Sequence, residues 1–135
     1  MNFQPFDTFA QACLEKRHNL AADDLRVMLT NKEPKRTHTV ASDIKQIQDR
    51  NGYRFGGEAA TVASSSQAHG EYSLILRRAH FEALGFWEPF QFAVVYNATS
   101  HRLIGFYDYG EPIEMEYGDL FDVEFDGAFL TAEVV

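Results

Sequence analysis

The stretch Phe90-Gln-Phe-Ala-Val-Val-Tyr-Asn-Ala-Thr-Ser-His-Arg-Leu-Ile-Gly-Phe-Tyr-Asp-Tyr109 decides the fold. Phe92 to Tyr96 is apolar at every position, Asn97 to His101 has the composition of a turn, and Leu103 to Tyr107 is again apolar on both faces. Two such runs joined by a polar turn read as an antiparallel hairpin covered on both sides, which places these strands at the centre of a sandwich.

Downstream, Ile113, Met115 and Tyr117 alternate with Glu114 and Glu116, and Gly118-Asp119 turns the chain. Phe121, Val123 and Phe125 then alternate with Asp122, Glu124 and Asp126, so both segments predict half-exposed strands. A last strand is expected near Phe129 to Val134. Upstream, Thr61 to Ala63 and Glu71 to Arg77 read as strands, the second with Tyr72, Leu74 and Leu76 on one face and Ser73, Ile75 and Arg77 on the other. Asn51-Gly52 and Gly56-Gly57 mark turns, and Ser42 before Asp43, Ile44 and Ile47 reads as the cap of a single helical turn. Leu25, Val27 and Leu29 alternate with Arg26, Met28 and Thr30, a strand with one decisively apolar face that Asn31 to Pro34 ends. Phe6, Phe9, Ala10, Cys13 and Leu14 recur at helical spacing, predicting a short amphipathic helix beginning close to Pro5. Seven or eight strands behind one N-terminal helix predict a mainly β fold, an antiparallel β-sandwich or jelly-roll-like domain.

At 135 residues and 45% hydrophobic composition, the chain is long enough for one core and too short for two ordinary domains. One domain is therefore expected over 1–135, with a helical segment at 1–20 and the sandwich at 21–135. The single cysteine, Cys13, rules out an internal disulfide framework and favours a reducing compartment. Residues 1–10 lack the basic and apolar regions of a signal peptide, and no run approaches the length of a membrane span. Neither secretion nor membrane insertion is expected. The net charge is −8, and its distribution is uneven: all twelve basic residues precede Leu103, and nine of the twenty acids follow it. A phosphate backbone would be repelled by most of this surface, so no nucleic-acid partner is expected. The acidic end reads either as a solvated face or as a docking face for a basic partner.

The residues offer little chemistry. His18, His38, His69, His80 and His101 have none of the spacings that put two imidazoles on one metal, and Cys13 sits on the expected apolar helix face as a small hydrophobe. Asp122-x-Glu124-x-Asp126 projects three carboxylates from one strand face, a pattern open to calcium or to a glycosidase pair but explained by a solvated strand. No nucleophile elbow, phosphate loop or dinucleotide fingerprint occurs, so neither an enzyme nor a cofactor is expected. The notable resource is nineteen aromatic residues. Phe86, Trp87 and Phe90 cluster beside Pro89, either folded over the core or presented to a partner or a sugar.

The chain resembles a family of small structural proteins of tailed bacteriophages. The resemblance is carried by Leu25-Arg-Val-Met-Leu-Thr-Asn31, Asp43-Ile44, Asn51-Gly52-Tyr53 with Gly56-Gly57, and Ser64-Ser-Ser-Gln67. It continues through Pro89-Phe90, Ala93-Val-Val-Tyr-Asn97, Leu103-Ile-Gly-Phe-Tyr-Asp-Tyr-Gly110, Gly118-Asp119 and Val123-Glu-Phe-Asp126. It runs through nearly the whole chain in order and implies a role rather than a reaction. That role is a virion component made in the host bacterial cytoplasm, placed most readily as a capsid decoration or cement protein. Such a protein binds the major capsid protein as a homo-oligomer such as a trimer. A tail or fibre component that recognises a host surface glycan is the alternative. Two features depart from the family pattern, the bulky charged loop Ala79 to Glu88 and the polar turn at Lys32-Glu33. Phe6, Phe9, Phe86 and Trp87 are the candidate partner contacts.

Overall fold

Val94 and Val95 project to opposite sides of one strand and neither is accessible to solvent, so the central sheet is covered on both faces. The computed structural model describes residues 3–125 and 129–133. Its elements run β1 (Gln4–Pro5), α1 (Phe9–Leu14), β2 (Leu25–Thr30), β3 (Glu58–Ala59), β4 (Val62–Ala68) and β5 (Glu71–Leu76). They continue with β6 (Ala79–Glu82), β7 (Phe90–Asn97), β8 (Arg102–Ile113), β9 (Leu120–Val123) and β10 (Leu130–Glu133). The fold is mainly β and wholly antiparallel in its pairings, with one short N-terminal helix.

The expected hairpin is β7–β8. It lies inside a five-stranded sheet of order β1-β8-β7-β2-β3. Val27 pairs with Val95 and Met28 with Val94, so the two faces alternate in phase across the strands. One face, with Leu25, Val27, Leu29, Ala93 and Val95, packs against Leu74 and Leu76 of the sheet β10-β5-β4 and against Phe81 and Val123 of the pair β6-β9. Apolar area removed from water between these layers is the main stabilising term. The opposite face, with Met28, Phe92, Val94 and Tyr96, is closed by Phe6 and Ile44 from the irregular segments flanking β2. A register shift opposite Val95 and Tyr96 lets Leu103 and Phe106 both face this second core while Ile104 and Tyr107 face the first.

Several expectations need correction. The helix begins at Phe9, not near Pro5, because Gln4–Pro5 is drawn out as an edge strand on Gly105 and Phe106. Its buried residue is accordingly Ala12, while Leu14 is 88% exposed and Cys13 is half-buried rather than part of an apolar face. Burial nonetheless raises the Cys13 thiol pKa, which favours the unreactive protonated form. At Ala41–Asp43 the helical turn is 3₁₀, and Asp43 rather than Ser42 caps it by accepting from the Thr39 and Val40 backbone N–H groups at 2.9 and 3.1 Å. These bonds hold the Asp43 carboxyl below its ordinary range. Ile113 does not open a separate strand. It ends β8, which bulges outward over Tyr109–Pro112 between the register pairs Phe92–Asp108 and Phe90–Ile113. Met115 is buried beyond that end and Tyr117 is exposed. Ten strands are present among the described residues, two of them only two residues long. Of the last two segments expected as strands, Asp126 and Val134 lie outside the described residues.

Candidate protein-docking surface

Three loops meet at one end of the molecule, and the hydrogen bonds between them fix what they present. The loop after β6 is held from both sides. The Asn51 carbonyl accepts from the Leu84 backbone N–H and from the Trp87 indole N–H, both at 2.7 Å, and Asn51 Nδ2 donates to the Phe86 carbonyl at 2.8 Å. From the other side, Gly118 N–H donates to the Ala83 carbonyl and Ala83 N–H to the Asp119 carbonyl, each at 2.9 Å. Trp87 N–H donates to the Met115 carbonyl at 3.1 Å. Asn51 supplies this junction from a left-handed backbone conformation that Asn tolerates well.

The candidate contact residues divide accordingly. Trp87 is 1% exposed, packed edge-on against Tyr53 and Phe81, and Phe6 is 2% exposed beside Phe106. Both are core residues that anchor the segments carrying them. Phe9 is half-buried beside His18. Phe86 alone of the four is at the surface, 51% exposed, and Phe90, four residues on, is buried against Phe121.

What the sequence did not single out is the company Phe86 keeps. Phe55, Leu84, Tyr117 and Leu120 are all at least half exposed and lie on the same three loops or at their junction with β9. Leu84 and Phe55 line one cleft, and Leu120 is the cross-strand partner of Glu82, which lines it too. Exposed apolar side chains beside charged ones, here Phe55 and Leu84 with Arg54 and Glu82 in that cleft, have the composition of a binding surface. The available sequence signal was position: each of the four lies within three residues of a glycine in a turn.

The acidic strand is a different kind of surface. Asp122 accepts a bond from His80 across β6–β9, and Arg78 Nη1 lies 3.6 Å from Asp122 and 4.0 Å from Glu124. Two members of the Asp122-x-Glu124-x-Asp126 pattern thus face Arg78, and Asp126 is outside the described residues. Among the described residues no group of three or more His, Cys, Asp or Glu is arranged to hold a metal ion. No helix is long and apolar enough to cross a membrane.

A buried polar network ties the N-terminal segment to the central hairpin. Asn97 Nδ2 bonds both His18 Nδ1, at 3.0 Å, and Asp23 Oδ2, at 2.6 Å, while its Oδ1 accepts from the Thr99 and Ser100 N–H groups. Every polar valence of Asn97 is used. His18 is buried, and its Nε2 has no partner among the described residues. Desolvation lowers its pKa, with Arg102 adding to the effect and Asp23 opposing it. The folded value therefore lies below the unfolded one, and the unfolded chain takes up the proton first on acidification. Stability due to neutral His18 is complete above the ordinary imidazole range and is lost as pH falls through it towards the folded pKa. His18→Gln is expected to flatten the dependence of the urea midpoint on pH between about 7 and 5; an unchanged slope would show that His18 is not the titrating group.

Comparison with known proteins yields no match: no family model, curated protein or solved structure corresponds to this chain.

Proposed function

We propose that this chain is a non-enzymatic structural protein of a tailed-phage virion, a capsid decoration protein that binds the major capsid protein and stabilises the shell. One observation carries the binding role: the rigidly tied loop end that leaves Phe55, Leu84, Phe86, Tyr117 and Leu120 in solvent. Exposing five large apolar side chains together costs solubility, and a partner that covers them recovers the burial. The sequence resemblance supplies the identity of that partner. The mechanism is linkage: a protein that binds assembled shell and not free subunits stabilises the assembly by its binding free energy, and repeated copies on a lattice add their contributions.

The test uses purified protein and empty shells. Wild type is expected to co-sediment with the shells and to raise their disassembly temperature. The double variant Leu84→Ser, Phe86→Ser should lose most of that binding while its own unfolding midpoint stays nearly fixed, because both side chains are already largely solvated. Unimpaired binding by the variant would remove the loop surface from the proposal, and no binding by wild type would remove the capsid.

A tail or fibre component that recognises a host glycan is the second reading. It draws on Phe55, Phe86 and Tyr117, three exposed rings with amphipathic or apolar faces suited to carbohydrate. Retention of the wild-type protein on host cells or immobilised glycans, without binding to shells, is the result that would favour it.

A further inference from the structure

Residues 8–23, which comprise α1 and the turns after it, form an outer segment whose backbone bonds are internal. Ala12 N–H donates to the Thr8 carbonyl, Arg17 N–H to that of Ala12, and the Ala22 and Asp23 N–H groups to that of Asn19. Phe9, Ala12, His18 and Leu20 are at least partly buried, and most of the other side chains are exposed. Among the described residues, only two hydrogen bonds cross from this segment to the sheets. Both come from Asn97 Nδ2 at the end of β7, one to His18 Nδ1 and one to Asp23 Oδ2.

His18 can keep its bond only as the neutral ring. Asn97 Oδ1 accepts two backbone N–H groups, from Thr99 and Ser100 at 2.9 and 3.1 Å, which fixes the orientation of the amide and leaves Nδ2 purely a donor. His18 Nδ1 must therefore accept, so the ring proton sits on Nε2. A proton on Nδ1 would set an N–H against the Asn97 NH₂ group, and turning the amide over would unseat the Thr99 and Ser100 bonds. Asp23 attracts an imidazolium here and Arg102 repels it, while α1 faces the ring with the uncharged Phe9. Asp23 Oδ2 already accepts from Asn97 Nδ2 and from the Asn19 N–H at 2.7 Å. A protonated His18 thus has no acceptor at Nδ1 in this arrangement, and Nε2 has none among the described residues.

We propose that His18 is a proton-operated latch: protonation of Nδ1 detaches residues 8–23 from the β7–β8 turn while the sheets stay folded. Hydration of the freed imidazolium drives the release, and burial of Phe9, Ala12 and Leu20 opposes it. β1 and Phe6 remain docked through the Gln4–Pro5 pairing, the Phe6 N–H bond to the Ile104 carbonyl at 3.0 Å and the second core. The latch is independent of what the apolar loops bind.

Cys13, the single thiol, lies half-buried in this segment and reports on it. Its rate of reaction with dithiodipyridine, divided at each pH by that of the urea-unfolded chain, is expected to rise several-fold between about pH 7 and 5 with Trp87 fluorescence unchanged. His18→Asn, whose Oδ1 replaces Nδ1 as an acceptor and does not titrate, should hold that ratio flat. In the wild type, the midpoint of the rise should coincide with the titration of the His18 ring followed by NMR. A flat ratio in the wild type, an equal rise in His18→Asn, midpoints that differ, or loss of the Trp87 signal in step with the rise would each overturn the proposal.

Discussion

Gly57→Ala is expected to remove about 3–5 kcal/mol of stability, a large share of what a small domain possesses. Gly57 has a φ of +70°, and a Cβ built there would lie 1.7 Å from the Val27 carbonyl oxygen and 2.9 Å from the Met28 Cα. Those atoms are backbone of β2, an interior strand of the central sheet, and cannot turn aside as a side chain would. Relief requires β2 or β3 to move, which breaks the Val27–Glu58 pairing and disturbs the packing of Val27 and Met28 on both faces. Gly118→Ala provides the control. Its φ is +91° but nothing lies within 4 Å of the added carbon, so it should cost only about 1 kcal/mol for the strained conformation. Urea denaturation followed by the fluorescence of Trp87, the single tryptophan, reads both variants. Equal effects at the two glycines would show that the close approach of the loop to β2 is not what Gly57 serves.

Trp87→Ala should cost roughly 4 kcal/mol, within the range for emptying a buried aromatic site. The indole fills the space between Tyr53 and Phe81 and donates to the Asn51 carbonyl. That carbonyl keeps a second donor in the Leu84 N–H, so the loss is chiefly one of packing. Circular dichroism against urea is the readout, and Trp87→Phe should restore a good part of the stability. A surface contact residue would behave oppositely, with a stability change within about 0.5 kcal/mol and a selective loss of binding. The two variants thus separate the anchor, Trp87, from the residue it positions, Phe86.

Central strands were legible because apolar runs bounded by turn residues have few other uses. Phe92–Tyr96 and Leu103–Tyr107 are where the sequence places them, and Phe121 and Val123 face inward as their alternation requires. Leu25, Val27 and Leu29 also share one face, but Met28 and Thr30 on the other are fully buried rather than exposed. That second face is covered by irregular segments carrying Phe6 and Ile44, and irregular chain has no period from which to read what it covers. Leu14 misled for a related reason. Its spacing from Phe6 and Phe9 is helical, but the helix is too short to include Phe6, and burial falls on Ala12 instead.

Loop residues were the least legible part of the candidate surface. A lone large apolar residue in a loop is as consistent with an anchor as with an exposed contact, and only hydrogen bonding from distant segments decides between them. Trp87 is drawn in by Asn51, whereas Phe86, adjacent to it, is held out by the same asparagine. Phe55, Leu84, Tyr117 and Leu120 belong together only because residues 51, 83 and 118 meet, a juxtaposition that no local pattern encodes.

The pairing of Gln4 with Phe106 bears on how the chain matures as it is synthesised. Gln4–Pro5 and Leu25–Thr30 emerge early from the ribosome, but the strands they join, Phe90–Asn97 and Arg102–Ile113, are translated in the last third of the chain. At about 5–20 residues per second, the first segments wait several seconds without their sheet partners. Meanwhile the strands Val62–Ala68 and Glu71–Leu76 already have each other within reach, so local pairing is available before the central sheet can close. A nascent chain arrested before Arg102 should therefore remain protease-sensitive, and one arrested well beyond Ile113 should acquire resistance in a single step.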